Sequence, residues 1–263
     1  MKNIRVSCIQ MDISYCNKKE NLQKAFLMAD SAVSKGADII VLPEVFSTGF
    51  CYERIEEVAE EHPYDTIQKI ADFSKKNNCI MIGSIIEKNT FENNIEYYNL
   101  GYCIEYGQIA GFYRKIHPFT EEKKYFSPGS KVHTIPLRGC NLNIGLEICY
   151  EIRFPEIARK MALEGADILI TIAEFPKPRS DIWSALAKAR AIENQIPHVA
   201  CNRTGSDPRK DYFGGSLIIN AEGDILAEAS DNETILIADI DTEQKNKIRS
   251  SIPVFADRRP ELY

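Results

Sequence analysis

The chain has 263 residues, 44% of them hydrophobic and 27% charged, which is typical of a soluble globular protein with a sizeable core. It carries 32 Lys and Arg against 38 Asp and Glu, and the net charge of −6 provides no basic field for nucleic acid or an anionic membrane. Its apolar runs fall far short of the roughly 20 residues that span a bilayer, and the first ten residues lack the apolar core of a signal peptide.

Strand and helix patterns alternate from the start of the chain. Residues 4–10 alternate like a strand, and residues 17–35 place apolar side chains at helical spacing. Gly36 stands where a helix C-cap glycine belongs, and residues 38–42 form the short apolar run of a strand covered on both faces.

The same alternation continues to the end. Helices are predicted over residues 63–77, 155–163, 181–195 and 242–249. Strands are predicted over residues 79–87, 95–105, 109–114, 132–135, 141–148, 167–173, 198–202, 212–220 and 233–239, with the turn of residues 221–224 between the last two. Residues 117–131 form a polar loop of a length that is often functional, and residues 252–263 are expected to be irregular.

One pattern occurs twice. Residues 34–44 and 163–174 each combine a helix end, a glycine, Ala-Asp, an apolar strand and an acidic residue. This repeat suggests two similar halves within one domain, since no Pro-, Gly- or Ser-rich linker divides the chain. Helices alternating with strands favour an α/β layered fold.

Eight cysteines are present, but no C-x-x-C pair that would hold zinc or exchange disulfides. Several lie inside strand-like apolar runs. We therefore expect a reducing cytoplasm and mostly buried thiols that act as small hydrophobic side chains. The cysteines are Cys8, Cys16, Cys51, Cys79, Cys103, Cys140, Cys149 and Cys201.

Common cofactor motifs are missing from the sequence. It contains no G-x-G-x-x-G, no G-x-x-x-x-G-K-[ST], no G-x-S-x-G and no H-E-x-x-H. A nucleotide cofactor or a metal thus has no direct support, and we expect neither.

Three reactive side chains follow predicted strands. Glu44 follows residues 38–42, Lys115 follows residues 109–114, and Cys149 follows residues 141–148. Strand ends hold catalytic groups well because the sheet fixes the backbone there. A carboxylate can take the thiol proton, and an ammonium can stabilise the thiolate and then an oxyanion.

The segments VLPEVFSTGF, YRKIHPF, EEKKYFSPG and GLEICYEIRFPE follow one another in an order that resembles the nitrilase superfamily of carbon–nitrogen hydrolases. The resemblance covers nearly the whole chain and implies a four-layer αββα sandwich in a single domain of residues 1–263. It also implies a homodimer or larger homo-oligomer, with residues 245–263 as a tail at the dimer interface. The implied triad is Glu44, Lys115 and Cys149, with a second glutamate at Glu122 or, as the alternative, Glu121.

The resemblance implies hydrolysis of an amide through a thioester on Cys149, with release of ammonia. Glu44 would be the base, helped by Glu122. The oxyanion would be held by Lys115 and by the backbone N–H of Tyr150. Glu147 and Glu151 flank the cysteine on an extended segment and are placed outside the triad.

Residues 173–183, AEFPKPRSDIW, resemble the ω-amidase branch, whose substrates are 2-oxo dicarboxylate monoamides such as 2-oxoglutaramate. ARAIENQ and CNRTGSD add to this likeness, whereas Glu174 and Asp181 depart from it. A carboxylate-bearing substrate requires a fixed cation, for which Arg153 and Arg179 are candidates. A structural ion pair with Glu156 is the alternative role for Arg153.

Four aromatic side chains are candidate walls of the pocket, each with ordinary core packing as the alternative role. His117, in KIHPF, is expected to be structural or to shape the pocket. The four aromatic residues are Phe46, Phe119, Phe175 and Trp183.

The sequence is compatible with other functions. An N-carbamoyl hydrolase or an aliphatic amidase would share the superfamily and the triad. Outside amide hydrolysis, the alternatives are a non-catalytic binding module with a dead site and a redox sensor in which Cys149 reacts with peroxide.

Overall fold

The computed structural model describes residues 3–92 and 94–262. The strands are β1 (Asn3–Gln10), β2 (Ile39–Val41), β3 (Ile80–Phe91), β4 (Asn94–Glu105), β5 (Gln108–Arg114), β6 (Thr134–Leu137), β7 (Leu142–Ile148), β8 (Ile168–Ala173), β9 (His198–Asn202), β10 (Thr204–Ser206), β11 (Asp211–Phe213), β12 (Leu217–Ile219), β13 (Ile225–Glu228) and β14 (Thr234–Asp241). The α-helices are α1 (Lys18–Ser34), α2 (Ile55–Val58), α3 (Asp65–Asn77), α4 (Pro155–Leu163), α5 (Ser180–Asn194) and α6 (Gln244–Ser251).

Two six-stranded sheets carry the fold. The first has the order β14-β1-β2-β3-β4-β5 and the second the order β13-β12-β9-β8-β7-β6. In each sheet three central strands run parallel, β1-β2-β3 and β7-β8-β9, and the outer strands pair antiparallel. β10 and β11 form a separate two-stranded ribbon.

The two sheets pack face to face around the largest core cluster, in which Val6 and Val41 of the first sheet meet Ile144 and Ile170 of the second. The thiol of Cys201 on β9 reaches the carbonyl oxygen of Val41 at 3.4 Å. Strands buried on both faces need apolar residues at consecutive positions, which accounts for the continuous apolar runs of β2 and β8.

Helices cover the two outer faces. α1 and α3 pack on the first sheet through a cluster that includes Ala25, Ala29 and Ile67, and α4 packs on the second through Ala158 and Met161. α5 contacts β9 and β12 beside it. The four layers are therefore α, β, β and α, as the resemblance implied.

The repeated sequence pattern corresponds to equivalent structure. Gly36 and Gly165 end α1 and α4 with φ of 81° and 93°, a conformation that favours glycine. Each following aspartate accepts a backbone hydrogen bond, Asp38 from Arg5 at 2.8 Å and Asp167 from Asn143 at 2.7 Å. β2 and β8 then enter their sheets between two parallel neighbours, so both acidic residues that end the repeats leave equivalent strands.

Two strand predictions were wrong. Residues 212–220 form two short strands rather than one, because Gly214 and Gly215 adopt positive φ and turn the chain between β11 and β12. The turn of residues 221–224 joins β12 to β13, which the sequence reading missed, while β14 pairs with β1 in the other sheet.

The expectation for the cysteines was wrong for one pair. Cys16 and Cys51 form a disulfide across a sequence separation of 35, because the loops after β1 and β2 lie side by side with Cα atoms 5.2 Å apart. The other six cysteines are buried and lie outside this disulfide, as expected. Among residues 3–92 and 94–262, none of the helices combines the length and the apolar composition that crossing a membrane requires.

Candidate active site

Glu44, Lys115 and Cys149 converge between the two sheets. Glu44 follows β2, Lys115 follows β5 and Cys149 follows β7. Cys149 has a φ of 53° and opens the 3₁₀ turn Cys149–Arg153, so the chain makes a sharp strand-to-turn elbow at the thiol. All three side chains are buried.

Glu44 and Lys115 form a buried ion pair. The Lys115 ammonium donates to Oε1 of Glu44 at 2.7 Å, and Asn99 Nδ2 donates to the same oxygen at 2.7 Å. The backbone N–H of Glu174 donates to the other oxygen, Oε2, at 2.9 Å. The side chains of Lys115 and Glu44 are 1% and 0% exposed, so Glu44 is held by fixed donors away from water.

Glu122 completes the charged group. It lies in the 3₁₀ turn Thr120–Lys124, and its two oxygens accept hydrogen bonds from Lys115 Nζ at 3.0 and 2.8 Å. Its neighbour Glu121 is exposed, so the structure places Glu122 and not Glu121 on the lysine. Burial raises the pKa of Glu122, while Lys115 pulls it down. For Lys115 itself, burial lowers the pKa but the carboxylates of Glu122 and Glu44 outweigh that effect and raise it well above its usual value.

Cys149 rests as a protonated thiol. Burial and the facing Glu44 carboxylate raise its pKa well above the ordinary value, and Lys115 opposes this only in part. The thiol must therefore give up its proton during attack, and Glu44 is the carboxylate placed to receive it.

The two glutamates that flank Cys149 have different partners, and Glu151 supports the elbow. Glu151 Oε2 accepts from the N–H of Ile148 at 2.8 Å, and its Oε1 accepts from the N–H of Ile116 at 2.7 Å. It thus joins the segments that carry Cys149 and Lys115. Glu147 instead accepts a hydrogen bond from Thr171 Oγ1 on the neighbouring strand β8 at 2.7 Å.

A cavity leads to Cys149. Of the predicted residues, Phe119, Phe175, Arg153 and Arg179 line it together with Tyr150 and Glu122. The guanidinium of Arg179 lies 5.2 Å from the Phe119 ring centroid, and that of Arg153 lies 5.8 Å from the Phe175 ring centroid.

Two predicted wall residues lie elsewhere. Among the described residues that line the cavity, neither Trp183 nor Phe46 occurs. Trp183 is fully buried behind Phe175, with ring centroids 5.0 Å apart, and its indole N–H donates to Gly215 O at 2.8 Å. Phe46 packs in the core under α1. His117 stacks on Phe154 with centroids 3.9 Å apart, a structural placement.

Known proteins resemble this chain over most of its length. The family model described as carbon-nitrogen hydrolase matches residues 5–249, which is most of the chain.

The chain belongs to the carbon–nitrogen hydrolase family.

Individual relatives extend this result. A protein named 2-oxoglutaramate amidase from Bacillus subtilis (strain 168) is 42% identical over 262 residues, covering 98% of both chains. The human protein named omega-amidase NIT2 is 32% identical over 278 residues, covering 100% of this chain and 98% of its own. The crystal structure of Saccharomyces cerevisiae Nit3, a member of branch 10 of the nitrilase superfamily, superposes with a TM-score of 0.91 at 28% identity, covering 98% of this chain and 97% of its own.

Several residues in the site of this carbon–nitrogen hydrolase were not predicted from the sequence. Asn99 on β4 orients Glu44, and Phe50, Tyr52 and Lys210 line the cavity. Glu174 also lines it, although its sequence position had been noted only as a departure from the ω-amidase pattern. The repeat held the signal for Glu174, because it ends the second copy as Glu44 ends the first.

Proposed function

We propose that this carbon–nitrogen hydrolase cleaves the terminal amide of a 2-oxo dicarboxylate monoamide, such as 2-oxoglutaramate, to the diacid and ammonia. The observation that carries the chemistry is the buried group of Glu44, Lys115, Glu122 and Cys149, of which Glu122 and Cys149 line the cavity. The amidase relatives named above support amide hydrolysis as the reaction and a 2-oxo acid amide as the substrate.

In the first half of the reaction, Cys149 Sγ attacks the amide carbon while its proton passes to Glu44. The carbonyl oxygen becomes an oxyanion held by the Lys115 ammonium and the backbone N–H of Tyr150. When the oxyanion collapses, the C–N bond breaks and Glu44 returns the proton to the nitrogen. Ammonia leaves, and a thioester remains on Cys149.

In the second half, a water molecule gives a proton to Glu44 and its oxygen attacks the thioester carbon. Lys115 and the Tyr150 N–H hold the oxyanion again. The C–S bond breaks, the acid leaves and the sulfur takes back the proton from Glu44. Glu122 keeps Lys115 charged and in place through both halves, because it accepts from Nζ with both oxygens.

Cations at the cavity support a substrate that carries a carboxylate. Arg153, Arg179 and Lys210 all line it. In the part of the chain that the structure describes, none of the three forms an ion pair with a carboxylate, so the alternative pairing of Arg153 with Glu156 is absent there. A substrate carboxylate would satisfy these groups, and an Arg guanidinium can bind it through two parallel hydrogen bonds.

An ammonia-release assay over matched small amides tests the proposal. The panel contains 2-oxoglutaramate, a neutral amide of equal length and an N-carbamoyl amino acid, each with wild-type enzyme and the Cys149→Ala variant. The 2-oxo acid amide should turn over fastest, with no carbon dioxide formed. Equal rates on the neutral amide would refute the substrate assignment, carbon dioxide release would favour the carbamoyl hydrolase, and no ammonia from any amide would refute the reaction.

We also propose that the enzyme works as a homodimer or larger homo-oligomer in the cytoplasm, with its C-terminal tail at the interface. Leu163 at the end of α4 and Ile252 in the tail are 47% and 58% exposed and line a common groove with Val254. Exposed apolar side chains of this kind mark contact surfaces. Light scattering after gel filtration should give the molar mass of a dimer or a larger oligomer. The Ile252→Asp variant should have a molar mass closer to that of the monomer.

A further inference from the structure

The hydrogen bonds of three carboxylates in the site show one unused acceptor. Glu122 and Glu174 line the cavity, and Glu44 lies beside them, bonded to Lys115 and to the N–H of Glu174. The three side chains carry six carboxylate oxygens. Five of them accept a hydrogen bond: both of Glu44, both of Glu122 and Oε2 of Glu174. Tyr212 also lies beside Glu174, but its single hydroxyl proton is donated to Asp207 Oδ2 at 2.7 Å. Within residues 3–92 and 94–262, Oε1 of Glu174 is therefore left without a donor although it is shielded from solvent.

Glu174 is held rigidly in this position. It follows β8 directly, and its own N–H donates to Glu44 Oε2 at 2.9 Å. Arg203 Nη1 approaches Oε2 at 3.4 Å, and both of these side chains are 0% exposed. Arg203 is fixed in turn, since its Nη2 donates to the carbonyl oxygen of Ile13 at 3.0 Å. One oxygen of Glu174 is therefore anchored and the other remains unpartnered in a residue that lines the cavity.

A buried acceptor without a donor is costly, because it has lost water and gained nothing in exchange. The substrate of the proposed function would supply the donor. A primary carboxamide brings one oxygen and two N–H bonds into the base of the cavity. Its oxygen is taken by Lys115 and the Tyr150 N–H, whereas the N–H bonds need acceptors. The Glu44 oxygens are already occupied, with Oε1 accepting from two donors.

We propose that Glu174 Oε1 accepts an N–H of the scissile carboxamide, so that Glu174 positions the leaving nitrogen beside Glu44 and selects unsubstituted amides over esters. This role rests on the proposed amide hydrolysis and adds a specificity residue to it. An ester of the same acid presents an oxygen where the amide presents its nitrogen. Two acceptors would then face one another, which disfavours the ester.

The variant Glu174→Gln tests this role with no change of side-chain size. Arg203 has donors only, so it will hold the Gln oxygen and turn the NH₂ group toward the cavity. That NH₂ would face the substrate NH₂, donor against donor. The probes are 2-oxoglutaramate and the ester in which a methoxy group replaces its amide NH₂. Both are measured by calorimetry on the Cys149→Ala background, where neither can be cleaved.

The Kd for the amide should rise about 10- to 100-fold in Cys149→Ala/Glu174→Gln relative to Cys149→Ala, while the Kd for the ester changes by less than about threefold or falls. The control is Glu156→Gln on the same background, an exposed carboxylate on α4 that should alter neither Kd. If the Gln variant does not fold, Glu174→Asp replaces it. This variant keeps the charge beside Arg203 but shortens the side chain by one methylene, and it should likewise weaken binding of the amide and not of the ester.

Equal weakening of amide and ester would show that Glu174 acts only through the fold, and unchanged amide binding would show that it does not contact the nitrogen; either result overturns the proposal. If the proposed function itself is wrong, the measurements give a different result. In that case wild-type enzyme releases no ammonia from the amide, and Cys149→Ala binds neither probe, so the role of Glu174 falls with it.

Discussion

The Lys115 ammonium lies 2.7 Å from Oε1 of Glu44 and is 1% exposed, in a region where the two sheets exclude water. Glu122 takes the other side of the same ammonium at 2.8 Å. Burying a single unpaired ion costs several kcal/mol of folding free energy. This group can be buried because its opposite charges pair with one another and offset that cost. The lysine therefore holds two carboxylates in place as well as facing the thiol.

Replacing Lys115 by Met should remove activity and also destabilise the fold. Glu44 and Glu122 would lose their shared counterion, and breaking a buried pair from one side costs about 3–5 kcal/mol. Urea unfolding at pH 7.5, together with ammonia release, measures both effects. Lys123→Met, at an exposed position in the same turn, is the matched control and should leave both near wild type. A Lys115→Met protein with wild-type stability would contradict the buried ion group.

Replacing Cys149 by Ala should lower ammonia release at least about 10³-fold, because no other group could form the thioester. The fold should survive, since the change removes one sulfur atom from a buried site. Circular dichroism and unfolding curves check this. Cys79→Ala provides the comparison, because Cys79 is also free and buried but lies before β3, away from the cavity. Activity that persists in Cys149→Ala would exclude the covalent route.

Replacing Arg179 or Arg153 by Met should raise the KM for 2-oxoglutaramate about 10- to 100-fold, the effect of losing a charge-assisted hydrogen bond. The KM for a neutral amide of equal length should stay the same. Lys177→Met is the control, because Lys177 is exposed beside Arg179 but is not among the described residues that line the cavity. If either arginine variant weakened both amides equally, that arginine would shape the cavity and not read the carboxylate.

Local patterns predicted most of the fold. Helices α1, α3, α4 and α5 were placed within a few residues because their apolar side chains recur at helical spacing and Gly36 marks an end. The error at residues 221–224 had a different origin. A turn sequence shows that the chain reverses there, but which strands then pair depends on contacts distant in sequence.

The candidate site shows the same contrast between local sequence patterns and contacts that are distant in sequence. Glu44, Lys115 and Cys149 were predicted to act together because each follows a strand and lies in a distinctive motif. Asn99 and Glu174 were not predicted, because no local pattern shows which strands lie together. Their roles depend on β4 lying beside β5 and on β8 lying opposite β2. Trp183 was placed on the wall because it is aromatic and near the right loop, yet its indole N–H needed a buried acceptor and found Gly215.

Glu147 predicts a pH dependence of stability. Burial raises its pKa from 4.5 to about 7. A carboxyl group whose pKa is higher in the folded state binds more protons there, so its contribution is present below pH 4.5 and is lost as the pH rises through 7. The shift corresponds to roughly 3 kcal/mol. Wild-type unfolding free energy should therefore fall between pH 5 and 8.

Glu147→Gln should remove that part of the fall, because the amide keeps an acceptor for Thr171 and does not ionise. Urea unfolding at pH 5, 6, 7 and 8 measures how the unfolding free energy of each protein changes with pH. Glu228→Gln, at an exposed position on β13, should follow the wild-type curve. Parallel curves for wild type and Glu147→Gln would mean that Glu147 does not titrate in this range.

The Cys16–Cys51 disulfide predicts a link between stability and substrate binding. It closes a loop with a sequence separation of 35, for which chain entropy gives roughly 3–4 kcal/mol. Cys51 lies between Phe50 and Tyr52, both of which line the cavity. Cys16→Ser should thus lower the unfolding free energy by that amount and raise KM more than it lowers kcat, since one cavity wall gains freedom while Glu44, Lys115 and Cys149 keep their own contacts.

A reductant supplies the control for this variant. Reduction of wild-type enzyme should bring its unfolding midpoint and KM to the values of Cys16→Ser, and the same treatment of Cys16→Ser should change nothing. Free-thiol titration under denaturing conditions counts the cysteines in each state and should find two more after reduction of the wild type. If reduced and oxidised wild type unfolded at the same urea concentration, the disulfide would contribute no stability and the wall would owe its order to packing alone.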